Sequence, residues 1–408
     1  MRLPTGIQDF TKLREENMVY VDKTMYMMPF LQGGVFFLSR PRRFGKSLLL
    51  STLKAAFAGR KDLFASLWLE NKFDFALRPV IRLDFSKLDY RERSLEASML
   101  NDFRLTASDY GIQLEQNTAK SAFEELIREL SKTSKVVVLI DEYDKPITDY
   151  LLEPEIRGEH QAILKSVYGV LKPMDAHIHL VFLTGVSKIG KLSLFSDLNN
   201  LQDISLNQKY AQVCGYSRSE IDTHFAPWLE PIAVVLNVSM PVLWEAITFW
   251  YNGYSWDGVH KMFCPFSFLL FLENQEFRSF WYETGTPTFL VELIKNAQFN
   301  AIQFESIALD EMTISTTNVQ NLEPVSLMFQ TGYLTMIAKT RNTLGTRYLL
   351  SYPNEEVRQA FAKSLLLEYS QGKSYIGSFS LELQDALSIS LKCSMIHECQ
   401  NNQQFLSI

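Results

Sequence analysis

Apolar runs alternate with amphipathic stretches through the first half of the chain. Val35-Phe36-Phe37-Leu38 is a short apolar run before a loop, and Ser47 to Ala58 then reads as a helix stopped by Gly59. Val80 to Phe85 predicts a second strand, and Ser94 to Tyr110 and Thr118 to Leu130 predict two helices. Val136 to Ile140 is an uninterrupted β-rich run, the pattern of a strand covered on both faces. Gly158 to Lys172 predicts a helix halted at Pro173, followed by a strand from His179 to Leu183. Strands alternating with helices imply a parallel sheet with right-handed crossovers.

Near residue 210 the pattern becomes mainly helical. Ser217 and Glu220 have capping-box spacing ahead of a helix from Glu220 to Leu236. Further helices are expected at Val242–Tyr251, Ser267–Asn274 and Pro287–Ala297, the last with Thr286 as cap and proline in its first turn. Pro324 to Gln330 predicts a short helix closed by Gly332. Tyr333 to Lys339 and Thr346 to Ser351 predict a hairpin around residues 341–345, and Asn354 caps a helix ending near Tyr369. Helices followed by a hairpin suggest a winged-helix-like module. The expected divisions are a core over 1–212, a helical lid over 213–300, the winged-helix-like region over 301–370 and a tail over 371–408.

Composition narrows the function. With 47% hydrophobic and 21% charged residues the chain has enough apolar side chains for a real core. There is no run of about 18 apolar residues to cross a membrane, and no apolar signal stretch follows Met1. Four scattered cysteines with no CxxC pair fit reduced thiols in a cytoplasm and no zinc site. The net charge of −6 disfavours broad nucleic-acid affinity. By region, residues 1–150 carry 23 Lys/Arg against 21 Asp/Glu, and residues 240–370 carry 8 against 13, so the second half is the acidic part.

The candidate chemistry lies at strand ends. Arg40-Pro41-Arg42-Arg43-Phe44-Gly45-Lys46-Ser47 matches GxxxxGK[ST] except that Arg40 stands at the first glycine. Gly45 admits backbone N–H groups close to phosphate, Lys46 supplies a cation to the β- and γ-phosphates and to catalysis, and Ser47 offers a hydroxyl to Mg²⁺. Arg42 and Arg43 could add charge-assisted bonds, and Phe44 and Leu48 complete the stretch around a helix N-terminus that favours anions. The strand Val136 to Ile140 ends in Asp141 and Glu142, about 95 residues after Lys46. Here Asp141 would serve Mg²⁺, and Glu142 would be the catalytic carboxylate that polarises the attacking water. Thr184, at the end of the next strand, is either a sensor of the γ-phosphate or a plain strand terminus. Lys188 and Lys191 follow it and read as solvated loop lysines rather than phosphate contacts in cis or across an interface, while Asp84 reads as a turn cap rather than a contact of Mg²⁺-bound water. The aromatic cluster from Phe249 to Trp256 reads as interface packing rather than a stacking surface for bases.

On Tyr20-Val21-Asp22-Lys23-Thr24, Ser39 to Ser47, Leu139 to Pro146 and Leu183 to Lys188, the chain resembles the bacterial AAA-ATPase-like family. Tyr251-Asn252-Gly253-Tyr254, Glu283 to Pro287, Gln330-Thr331-Gly332-Tyr333-Leu334 and Tyr352-Pro353-Asn354 extend the likeness over roughly residues 1–370. The resemblance implies an α/β P-loop NTPase core with a parallel sheet, followed by a mainly helical lid and a winged-helix-like region. It implies ATP and Mg²⁺ as ligands and a nucleotide-controlled switch, and it makes the arginine-for-glycine loop the family's own form. Tyr20 to Thr24 would then border the adenine, or be a chain entry packed on the sheet edge. The alternative function is a nucleic-acid-binding module in which ATP is regulatory, which the acidic second half disfavours. A protein partner or a homo-oligomer is left open. Such proteins usually carry a PD-(D/E)XK nuclease domain. The 371–408 tail contains no Asp/Glu-x-Lys triplet, and Glu70-Asn71-Lys72 falls in a crossover. The expectation is therefore no nuclease site, with the tail a remnant of a linker to that domain.

Overall fold

The computed structural model describes residues 1–196, 198–281, 306–315, 323–343 and 345–369. The chain forms two compact units, Met1–Gln359 and Ala360–Ile408. The expected helix at 287–297 and the tail over 371–408 lie outside the described residues.

The first unit opens with α1 (Phe10–Glu15) and α2 (Met28–Leu31). The core then runs β1 (Gly34–Ser39), α3 (Lys46–Phe57), β2 (Val80–Asp84), α4 (Leu95–Asp109), α5 (Ala119–Leu130) and β3 (Val136–Asp141). It continues with α6 (Lys145–Thr148), α7 (Pro154–Tyr168), β4 (Ile178–Gly185), α8 (Lys191–Leu194) and β5 (Leu201–Asp203). The strands form one sheet in the order β2-β3-β4-β1-β5, with every pair parallel. Every residue of β3 is buried, as its unbroken apolar run implied. Because β4 lies between β1 and β3, the C-terminal ends of these three strands share one edge, the usual place for a ligand on an open α/β sheet.

Local chemistry explains most element boundaries. Ser94 and Thr118 cap α4 and α5 by accepting from the N–H groups of Ala97 and Ser121. Helix α7 begins at Pro154 rather than at the expected Gly158, because proline suits the first helical position and Gly158 is tolerated inside. Strand β5 has only three residues, too few for a period to show in sequence.

Beyond the sheet come α9 (Arg218–Val235), α10 (Met240–Tyr251) and α11 (Pro265–Asn274). The capping box of Ser217 and Glu220 is present at the start of α9. Ile221, Phe225, Leu243, Ile247 and Phe268 form an apolar core that also takes in Val19 and Val21. Val19 and Val21 thus pack into the helical region, while Tyr20 between them packs edge-on against Phe10 of α1 at 5.1 Å. Tyr251, Tyr254 and Trp256 are buried, in keeping with the packing reading of the aromatic cluster.

The last part comprises β6 (Ile307–Asp310), α12 (Glu311–Ser315), α13 (Pro324–Thr331), β7 (Thr335–Asn342) and β8 (Gly345–Ser351). Its strands are antiparallel in the order β6-β8-β7. Tyr333 and Leu334 are buried in the turn after α13, so the hairpin starts at Thr335 instead of Tyr333. The side chain of Asn354 accepts from Val357 N and caps α14 (Glu355–Tyr369). Among the described residues no single helix is long and apolar enough to cross a membrane.

Candidate nucleotide-binding site

The loop between β1 and α3 is short and braced on its outer side. Gly45 takes φ +93° as it enters α3, a conformation open to glycine at no steric cost, and Arg43 takes φ +69°. Phe44 is buried edge-on against Tyr254 at 4.7 Å and Trp256 at 5.3 Å, and its carbonyl accepts from Gly215 N. Lys46 is buried, and its Nζ donates to the carbonyls of Arg40 and Pro41 at 2.9 Å each. Burial lowers the pKa of Lys46, with Glu142 and Asp141 opposing the shift.

Arg40 turns away from this space. Its guanidinium donates to the carbonyls of Ser39 (2.9 Å), Ser205 (2.7 Å) and Tyr210 (3.0 Å), and it stacks 4.1 Å from the centre of the Trp256 ring. Burial lowers its pKa to about 10, which leaves it charged at neutral pH. The arginine at the loop's first position is thus a tie between the loop, the segment after β5 and the aromatic turn.

The carboxylates stand where their spacing placed them. Asp141 is buried at the end of β3. Thr184 Oγ1 donates to Asp141 Oδ1 at 2.6 Å, so the two strand ends touch, and Arg82 lies 3.6 Å from Asp141 Oδ2. Glu142 follows with φ +52°, a costly backbone state for a residue with a side chain. Burial raises its pKa, and Lys46 acts against that rise. Asp84 accepts from Ser86 N (3.1 Å) and Ser86 Oγ (2.6 Å), the turn-capping role.

Lys188 and Lys191 are not solvated, contrary to the expectation. Both pair with Asp203 at the end of β5, Lys188 at 2.9 Å, and Lys188 is buried. Asp203 is held below the usual carboxylate range, its burial being outweighed by the two lysines together. The three-residue strand that carries Asp203 gave no sequence signal, so its partners looked free.

A cavity of about 310 Å³ opens over this edge, within the size range of small-molecule sites. Its floor is Arg42, Arg43, Phe44, Gly45, Lys46, Ser47, Leu48 and Glu142. One wall is Ile7, Val19, Tyr20, Val21 and Lys23, and the other is Gly215, Tyr216, Phe266 and Leu269 from the helical region. Lys23 Nζ donates to both oxygens of Glu220, at 2.6 and 2.7 Å, so the N-terminal wall is fastened to the start of α9. The guanidinium of Arg43 sits 3.8 Å over the Phe266 ring, with a buried Nη1 that has no hydrogen-bond partner. Asp141 and Thr184 do not line the cavity but stand behind Glu142 as its neighbours at the strand ends.

These residues fit a nucleotide with Mg²⁺. A desolvated lysine and an orphaned arginine N–H offer positive groups to phosphate oxygens. Among the described residues no cluster of three or more His, Cys, Asp or Glu could hold a metal. Ser47 lines the cavity and its hydroxyl suits a Mg²⁺ whose remaining ligands would be phosphate and water, whereas Asp141, buried behind Glu142, would reach such an ion only through water. Residues missed from sequence are Arg82, whose clue was a cation inside an apolar strand, and the Lys23–Glu220 pair, which is 197 positions apart and carried no signal.

Residues 4–195 match the predicted AAA-ATPase family (AAA-ATPase_like). An uncharacterized protein in the vnfD 5′ region of Azotobacter chroococcum mcd 1 is 41% identical over 374 residues, spanning 90% of this chain and 70% of that protein. Cdc6p of Pyrobaculum aerophilum has a TM-score of 0.31 at 10% identity, over 87% of this chain and 94% of that one. The ORC2 protein of Aeropyrum pernix, in ADPNP–ADP complexes, has a TM-score of 0.33 at 13% identity, over 85% and 93%. The sequence relationships, together with the loop, the paired carboxylates and the parallel sheet, make this chain a P-loop, ATP-binding protein that belongs to the predicted AAA-ATPase family.

Proposed function

We propose that the protein hydrolyses ATP and acts as a nucleotide-controlled switch, with the cavity as its active site. The observation that carries this reading is that a single cavity joins the phosphate loop and Glu142 to both the N-terminal wall and the helical region. A nucleotide there touches every part at once, so ATP and ADP would favour different degrees of closure.

The chemistry follows from the side chains. Lys46 and the N-terminus of α3 would hold the β- and γ-phosphates, and Arg42 and Arg43 would add charge beside them. The apolar wall from Val19 to Val21 would receive the base. Ser47 would hold Mg²⁺ directly and Asp141 through water, and the ion would supply charge neutralisation at the phosphates. Glu142 would orient a water and take up its proton as the water attacks the γ-phosphorus, while the bond to the β–γ bridging oxygen breaks and ADP leaves with phosphate. Its raised pKa makes it a better base than an exposed glutamate and means turnover should climb as pH rises through that pKa. Thr184, which donates to Asp141 Oδ1 and does not line the cavity, would sense a γ-phosphate only through that carboxylate. The winged-helix-like assignment of the 301–370 region is supported by α13 followed by the β7–β8 hairpin. The 8 Lys/Arg against 13 Asp/Glu over residues 240–370 favour a protein contact over nucleic acid. ATP turnover by the purified protein, with and without DNA or RNA, tests the proposal. No release of phosphate under any condition would refute hydrolysis, and strong stimulation by nucleic acid would favour the nucleic-acid module.

A further inference from the structure

Gln330 lies one residue before the end of α13 and is buried. A buried primary amide is costly unless both of its ends are bonded. Its Oε1 accepts from Lys188 N at 2.6 Å, while Nε2 donates to Ser326 Oγ at 3.1 Å and, more weakly, to Ile314 O at 3.4 Å. One end of the amide therefore belongs to the loop after β4 and the other to α12 and α13.

The loop it holds is wired to the carboxylates. Ser187 N and Oγ donate to Asp144 Oδ2 at 2.7 and 2.6 Å, and Val186 N donates to Asp144 Oδ1 at 3.2 Å. Tyr143 N donates to Thr184 O at 3.0 Å, and Thr184 Oγ1 donates to Asp141. An unbroken path of hydrogen bonds and short backbone links thus runs from Asp141 through Thr184 and Ser187 to Gln330. A second contact runs in parallel. Gly332, just past α13 at φ +94°, lies so close to the phosphate loop that an added Cβ would sit 2.8 Å from Pro41 Cβ. Leu327 and Thr331 share a small cleft with Glu142 and Arg42.

We propose that Gln330 is a positioning residue that ties α13 to the loop after β4, so that occupation of the ATP site is transmitted to the β6–β8 region. It touches no nucleotide-binding side chain and acts through Lys188 N and the loop. This inference rests on the ATP reading above. A side chain that only filled space would not need an acceptor aimed at that N–H, and leucine would pack there without polar partners to satisfy.

Hydrogen–deuterium exchange of the full chain, with and without Mg²⁺ and a non-hydrolysable ATP analogue, tests it in the wild type, Gln330→Leu and Gln330→Glu. In the wild type, the analogue should slow exchange in both 184–191 and 324–331, on the order of fivefold or more, the equivalent of one net hydrogen bond. In Gln330→Leu the 184–191 response should persist while that of 324–331 is lost, and Gln330→Glu, which keeps the acceptor, should recover much of it. Equal responses of 324–331 in the wild type and Gln330→Leu would overturn the proposal. A wild type in which 184–191 responds and 324–331 does not would also overturn it, even if Gln330→Leu fails to fold. Absence of any response, together with no heat of analogue binding, would instead refute ATP binding itself and take this inference with it.

Discussion

Replacing Arg40 with glycine would restore the common first position of the phosphate loop, and it should nonetheless destabilise the protein. The guanidinium makes three hydrogen bonds to backbone carbonyls at 2.7–3.0 Å and stacks on Trp256 at 4.1 Å, all in the interior. Bonds to a charged donor contribute about 1.5 kcal/mol each or more. Stacking adds about 1 kcal/mol, and glycine adds about 0.5–1 kcal/mol of backbone entropy cost. Against a gross loss of roughly 6 kcal/mol stands relief from burying a guanidinium, whose depressed pKa shows the strain, worth a few kcal/mol. The net expectation is about 3 kcal/mol, a large share of the usual 5–15 kcal/mol stability. Denaturant titration of wild type, Arg40→Gly and Arg40→Lys measures it. Arg40→Lys should fall between the other two, because one ammonium cannot match a planar fork over three carbonyls. Affinity for ATP should fall in Arg40→Gly as well, since Lys46 is held by the Arg40 and Pro41 carbonyls. An Arg40→Gly protein as stable as the wild type would refute the tie.

Lys46→Ala should lose about 2–5 kcal/mol of ATP binding, the size of a broken buried charge contact, and unchanged affinity by isothermal titration would contradict the phosphate assignment. Asp203→Asn leaves Lys188 and Lys191 without their carboxylate. Its Tm should drop most at acidic pH and partly recover as pH rises, because burial already lowers the pKa of Lys188 and deprotonation relieves the unpaired charge. Glu356 is buried, accepts from Trp281 N at 2.7 Å, and has its pKa pushed up by burial to about 8. A raised carboxyl pKa gives stability that is full below the ordinary glutamate value and lost as pH rises through about 8. Glu356→Gln should therefore flatten the fall in Tm over that window, and parallel Tm–pH curves for the two proteins would contradict this.

The strongly patterned parts of the fold could be read from the chain alone. The β3 run, the Ser217–Glu220 box and the glycine after α13 each stated their element through burial or capping chemistry that acts within a few residues. The strand ends of the site were legible for the same reason, since spacing alone placed Lys46 and Asp141. What stayed hidden depends on contacts distant in sequence. Asp203 sits on a three-residue strand yet decides the fate of two lysines. Lys23 finds Glu220 across 197 positions, and Gln330 finds Lys188 across 142. Arg40 departs from the general motif, and what it does there depends on Ser205, Tyr210 and Trp256, more than 160 positions away. Such pairings are products of the tertiary arrangement and leave no periodic trace.

The most direct test of the central claim compares ATP binding and steady-state ATP turnover in the wild type and Glu142→Gln, with Mg²⁺ present. The amide keeps the shape of the side chain and removes the group that takes up the proton. Glu142→Gln should bind ATP within a few-fold of the wild type and release phosphate about 10²–10⁴ times more slowly. Phosphate release at the wild-type rate would show that Glu142 is not the residue that activates water.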